Sequence, residues 1–216
     1  MIILGKVRPL SGHLLGPHPQ VLIIAPKSRR LRKCSTNVAR TCSSFRVTGN
    51  TFSREELIAA FDVFEQTVDR AAQTRDWDPW TDHYTEDVLY IEHAMGTMHG
   101  REEVRPWIWN TMENFPGSYM TSFPSLWKVY DEATGRVICE LDNPMRDPGD
   151  GTIIGATNIS IMTYAGDGLW SKQEDIYNPM KFLETTMAWC KKAEALGTLP
   201  EVAEEWMRKV GGRGRR

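Results

Sequence analysis

Residues 87–104 read DVLYIEHAMGTMHGREEV. An apolar run, Val88 to Ile91, ends in Glu92 and His93, and a turn carrying Gly96 and Gly100 leads to what reads as a helix start. If residues 87–93 form a strand, alternation puts Val88, Tyr90 and Glu92 on one face and Leu89, Ile91 and His93 on the other. A carboxylate on the same face as a buried tyrosine means either that the strand surfaces there or that it delivers a polar group into a cavity. The flanking elements bear on that choice.

Upstream, Ser53-Arg-Glu-Glu56 has the pattern of a capping box, and Leu57, Ile58, Phe61, Phe64, Val68 and Ala72 recur at helical spacing. These predict an amphipathic helix over 54–75, followed by a short helix at Asp78-Pro79 with Trp80 and Tyr84. Downstream, Val104, Trp107, Ile108, Met112 and Phe115 mark a third helix, with Pro106 expected in or near its first turn. From residue 119 the texture changes. The runs 122–129, 136–142, 152–164 and 169–177 are rich in strand formers and separated by turn signals such as Asp147-Pro-Gly-Asp-Gly151 and Gly166-Asp-Gly168. Asn178-Pro179 pairs an N-cap residue with proline at N1, launching a helix that Gly197 closes, and a last helix runs from Pro200 to Gly211. Helices first and hairpin-linked strands afterwards define an α+β class with a curved antiparallel sheet and extra C-terminal helices.

The 216 residues are 41% hydrophobic and 25% charged, the profile of a globular protein with a substantial core. The expected division is an extension, 1–50, and one domain, 51–216. The extension holds nine Lys and Arg and no Asp or Glu, which leaves the domain 17 basic against 28 acidic groups, a net of −11. Three readings of the extension stay open: a transit peptide, a basic disordered arm, or translation read from a start upstream of the natural one near Val47. A domain this acidic is no nucleic-acid binder. The run Val21–Ala25 is too short to span a bilayer. Cys34, Cys42, Cys139 and Cys190 show no paired spacing and read as reduced thiols of a cytoplasmic protein, with no metal site.

The element order and the residues Arg75-Asp-Trp77, Trp80, Tyr84-Thr-Glu-Asp87-Val-Leu-Tyr90, Gly96, Gly100-Arg101-Glu-Glu-Val104 and Trp107 resemble the nuclear transport factor 2-like superfamily, over roughly residues 53–180. Within it they resemble the SnoaL-like polyketide cyclases and their relatives, limonene-epoxide hydrolase and ketosteroid isomerase. The resemblance implies a cone: a bent sheet wrapped around helices, a hollow that takes a small hydrophobic substrate, no cofactor, and a homodimer formed across the outer sheet face, where Ile153, Ile159 and Ile161 are apolar.

By the same resemblance, Tyr90 and Glu92 face the hollow, and Asp142 and Asp175 fall where the epoxide hydrolase carries its two catalytic aspartates, with Glu140 where that relative has arginine. Tyr177 shares the face of Gln173 and Asp175, and His83 and Trp107 complete the set of expected substrate-binding residues. Two carboxylates close together in a low-dielectric pocket cannot both ionise cheaply, so one becomes an acid and the other a base. The expected activity is therefore carboxylate acid/base catalysis of the isomerase, cyclase, dehydratase or hydrolase type. A non-catalytic ligand-binding or association domain is the alternative. Blander readings compete at each position: Asp142 before Asn143-Pro144 as a turn residue, Glu92 as a surfacing carboxylate, and His83 as a packing group. Asn158-Ile-Ser160 matches a glycosylation acceptor, which a central strand makes meaningless.

Overall fold

The structure, a computed structural model, describes residues 52–211; the expectations for 1–50 lie outside the described residues. Helix α1 (Arg54–Thr74) begins where the Ser53 hydroxyl accepts the Glu56 amide at 3.1 Å, and it ends at Arg75 in the left-handed conformation. Its apolar stripe, including Leu57, Phe61, Phe64 and Val68, is buried. A short helix α2 (Asp78–Thr81) follows, then strands β1 (Tyr84–Glu92) and β2 (Gly96–His99) and helix α3 (Arg101–Glu113). Strands β3 (Ser125–Asp131), β4 (Arg136–Pro144), β5 (Gly155–Gly166) and β6 (Leu169–Ile176) complete the sheet, and helices α4 (Pro179–Leu196) and α5 (Glu201–Gly211) end the described chain. Pro106 is the sixth residue of α3 rather than part of its first turn, on an exposed position. There the Glu102 carbonyl that lacks its intrahelical donor can turn to water.

The sheet has six strands in the order β2-β1-β6-β5-β4-β3. It is mixed, which corrects the expectation of a purely antiparallel sheet: β1 and β6 run parallel, with Tyr90 opposite Gln173 and Glu92 opposite Asp175, while every other pair is antiparallel. Strand β2 pairs with the end of β1 as a hairpin and is only four residues long, too short for alternation to announce it. Register shifts in the β1–β6, β3–β4 and β5–β6 pairings mark bulges, which bend strands and curve a sheet.

Helix α1 packs onto the concave face through Phe61 and Phe64, whose rings meet Trp170 of β6 edge-on at 5.9 and 6.0 Å. A second apolar cluster joins α4 and α5 to the segment after α3: Trp189 packs on Phe115 and Tyr119 and donates its indole N–H to the Arg146 carbonyl at 2.5 Å. Asn178 caps α4 by accepting the Met180 amide at 3.0 Å. That cap fixes the first turn of α4 directly after β6, so Phe182 reaches back to stack on Tyr177 at 4.7 Å.

Candidate active site

Between α1, α3 and the concave face lies a cavity of about 150 Å³. Aromatic side chains and methionines make up half of its lining residues, and most of its polar groups come from the sheet. Strand pairing explains why the polar groups gather. Glu92 of β1 is opposite Asp175 of β6, and Asp175 is opposite Ser160 of β5, so three polar residues form one row across three strands on the cavity face. The neighbouring row holds Tyr90, Gln173 and Met162.

Asp175 is the focus of the row. The Tyr90 hydroxyl donates to Oδ2 at 2.6 Å, the Ser160 hydroxyl to Oδ1 at 2.5 Å, and the Gln173 amide N–H groups lie 3.1 and 3.2 Å from the two oxygens. Each donor is itself oriented. Gln173 accepts from the Tyr84 hydroxyl at 2.7 Å, which in turn accepts the Trp80 indole N–H at 3.0 Å. On the other side Ser160 accepts from the Asn158 amide at 2.9 Å, and Asn158 accepts from Asn143 at 2.9 Å. Two chains of donors therefore converge on one carboxylate. Even so, burial outweighs these bonds and pushes the Asp175 carboxyl above its ordinary range, with the Glu174 charge adding to the shift. Although densely surrounded, Asp175 keeps some surface open, and it lines the cavity.

Glu92 is 4% exposed. Its Oε2 accepts the amides of Ala94 (2.9 Å) and Met95 (2.5 Å) in the β1–β2 turn, and the Tyr177 hydroxyl lies against the same carboxylate. Burial again dominates and raises its pKa; the Asp175 charge adds to the rise, and the Tyr177 and backbone bonds oppose it. A pKa raised in the folded state means that the folded chain binds the proton more tightly than the unfolded one. The associated stability is intact below the unfolded-state value, about 4.3 for glutamate, and is lost as pH rises through the folded-state value. Removing this ionisation with Glu92→Gln should therefore shift the stability difference in the variant's favour as pH rises from about 4 to 8. Denaturant melts of both proteins across that range check it; a difference independent of pH would contradict the raised value.

The structure brings together Tyr90, Glu92, Asp175, Tyr177 and Trp107, the last with its ring 4.9 Å from that of Tyr90. It does not bring Asp142 or Glu140 to them. On β4 the cavity face is Cys139, Leu141 and Asn143, so Glu140 and Asp142 point to the other side. Glu140 there accepts the Trp127 indole N–H at 2.6 Å, and Asp142 accepts the Asn143 amide. The physical cause is the alternation of β4 itself, where Val137 and Cys139 are fully buried and fix the phase. His83 is also outside the cavity. It joins α1 to the β5–β6 turn through Thr67 Oγ1 at 3.0 Å and the Gly168 carbonyl at 3.4 Å, and burial lowers its pKa.

Asn143, Asn158 and Ser160 were not singled out from the sequence as site residues. The signal was present in β5, where Asn158, Ser160 and Met162 share one face, yet only the β5–β6 register shows that this face meets Asp175. Cys139 and Cys190 are free and buried, with the Cys139 thiol pushed up to about 12 by desolvation. Among the described residues no three His, Cys, Asp or Glu side chains converge as a metal site, and no helix is long and apolar enough to cross a membrane.

A curved mixed sheet backed by helices, with carboxylates on the concave wall of a small apolar cavity, defines an α+β pocket domain of the nuclear transport factor 2-like kind. The chain belongs to the SnoaL-like domain family, whose sequence profile matches residues 64–172. Among solved structures, an LEH-like epoxide hydrolase of M. tuberculosis superposes with a TM-score of 0.50 at 12% identity, covering 68% of this chain and 95% of its own. A provisionally assigned SnoaL-like polyketide cyclase of Jannaschia sp. CCS1 gives 0.49 at 14% identity, covering 63% and 96%. A provisionally assigned isomerase of Bacillus subtilis gives 0.48 at 17%, covering 61% and 92%. At 12% identity the likeness to the epoxide hydrolase is one of fold. None of the curated proteins matches the sequence.

Proposed function

We propose that this domain is a small-molecule enzyme in which the Glu92–Asp175 pair performs acid/base chemistry on a hydrophobic substrate. One observation carries the reading: two carboxylates on adjacent strands, in direct register, face the same apolar cavity, and burial raises the pKa of both. Such a pair takes up a proton more readily than an ordinary carboxylate and titrates as a unit. Asp175 retains cavity surface and exchanges the proton with the substrate. Glu92, more deeply buried, tunes the charge of the pair. In the simplest cycle the Asp175 carboxylate accepts a proton from a carbon next to a carbonyl, leaving an enolate. The resulting carboxylic acid then returns the proton to a different carbon, so the protein ends unchanged.

The fold, the family membership and the apolar walls are compatible with this reading; a domain that only binds its ligand is the alternative. Self-association through the outer sheet face, which carries Ile159 and Ile161, belongs to the same proposal. Its test is the mass of the full chain in solution. The catalytic test is a mass-spectrometric turnover screen of the full chain beside Asp175→Asn and Glu92→Gln, against hydrophobic epoxides, enones, cyclic ketones and aromatic esters. Conversion lost in Asp175→Asn supports the assignment. Conversion that persists in Asp175→Asn sinks it, and no conversion at all favours the binding-only alternative.

A further inference from the structure

The cavity is charged in one sense only. Three carboxylates line it, those of Glu65, Glu92 and Asp175, and no Lys, Arg or His does. Glu65 is neutralised from the adjoining groove by an ion pair with Lys128. Glu92 and Asp175 have no cationic partner among the described residues, although each accepts hydrogen bonds from neutral donors. Unpaired buried carboxylates side by side are costly, and either a proton or a cation relieves them. Around them stand the rings of Phe64, Trp80, Tyr90, Trp107, Tyr177 and Phe182, side chains that can hold a cation where a ring face, with its negative charge density, is presented to it. The surrounding domain, net −11 by sequence, repels anions and attracts cations to the same place. Size narrows the choice: a dry cavity of about 150 Å³ is the scale that accepts a single benzene-sized ring.

From these features we infer that the cavity selects a small, one-ring hydrophobic ammonium ion over its neutral and anionic analogues. The ammonium takes the place of the proton that the Glu92–Asp175 pair would otherwise hold, and the ring lies among the aromatic and methionine walls. The inference deepens the acid/base reading and rests on it, because an ammonium that neutralises one charge of the pair leaves the other carboxylate free as the base.

The test uses three one-ring probes of similar size on the full chain at neutral pH: benzylammonium, benzyl alcohol and benzoate, measured by calorimetry and tryptophan fluorescence. Benzylammonium is expected to bind at least ~10-fold tighter than benzyl alcohol, the size of one charge-assisted contact, with benzoate weakest. Asp175→Asn and Glu92→Gln, each confirmed as folded by circular dichroism, should each reduce that preference several-fold. The inference is overturned by benzyl alcohol binding as tightly as benzylammonium, by no measurable benzylammonium binding at millimolar concentration, or by a preference unchanged in both variants. The two readings fail separately. Lost selectivity alongside turnover that still depends on Asp175 removes the ligand class and keeps the acid/base chemistry. Retained selectivity alongside turnover indifferent to Asp175 does the reverse.

Discussion

Asp175→Asn is expected to lower kcat/KM by about 10²–10⁴-fold on any substrate the domain turns over, the contribution typical of a positioned acid/base group. The amide keeps the shape of the carboxylate but cannot accept a proton at neutral pH. It also meets the Tyr90 and Ser160 hydroxyls with one acceptor where there were two, so at least one donor chain must rearrange. The loss should fall on kcat more than on KM, because the interaction that disappears is made in the transition state. Asp142→Asn provides the contrast: its side chain is on the outer face of β4 and should leave turnover within a few-fold of wild type. Steady-state kinetics beside circular dichroism decide the matter. A loss at Asp142 matching that at Asp175 would contradict the strand phase on which the site is built.

Trp170→Ala is expected to cost about 3–5 kcal/mol of folding stability, a large share of the 5–15 kcal/mol typical of a domain. Trp170 is completely buried in β6 and touches both layers: its ring centroid is 5.9 Å from Phe61 and 6.0 Å from Phe64 of α1, and 5.2 Å from Tyr164 of β5. Truncation leaves a cavity under α1 that rigid neighbours on three sides cannot close. Trp127→Ala, on the outer face of β3 with 43% exposure, should cost no more than ~1 kcal/mol. Urea unfolding of the two variants measures the difference. Equal costs would mean that the α1–sheet contact is not what holds the layers together.

The elements that the sequence announces are those with strong local signals. A six-residue apolar stripe behind a Ser cap marks α1, Asn178-Pro179 and Gly197 bracket α4, and turn glycines separate the later strands. Strand β2 and the parallel β1–β6 contact were not legible, because one is four residues long and the other is a pairing between segments some eighty residues apart. The site divides in the same way. Alternation along β1 and along β6 groups Tyr90 with Glu92, and Gln173 with Asp175 and Tyr177, and all five line the cavity. On β4 the same rule, applied to Val137, Cys139 and Leu141, would have turned Asp142 outward. Matching Asp142 to a relative's catalytic aspartate set that local evidence aside, and neighbouring residues of a strand lie on opposite faces. Asn143, beside Asp142, lines the cavity at the end of the donor chain to Asp175.

The central claim is that Glu92 and Asp175 share one buried, electrostatically coupled site. It is tested most directly, and without knowledge of the substrate, by following the carboxyl ¹³C resonances of the labelled full chain through a pH titration, in wild type and in Asp175→Asn. Glu92 is expected to titrate above the ordinary glutamate range in the wild type, and its midpoint to fall when Asp175 loses its charge. A Glu92 resonance that titrates near the ordinary glutamate value and ignores the substitution would contradict it.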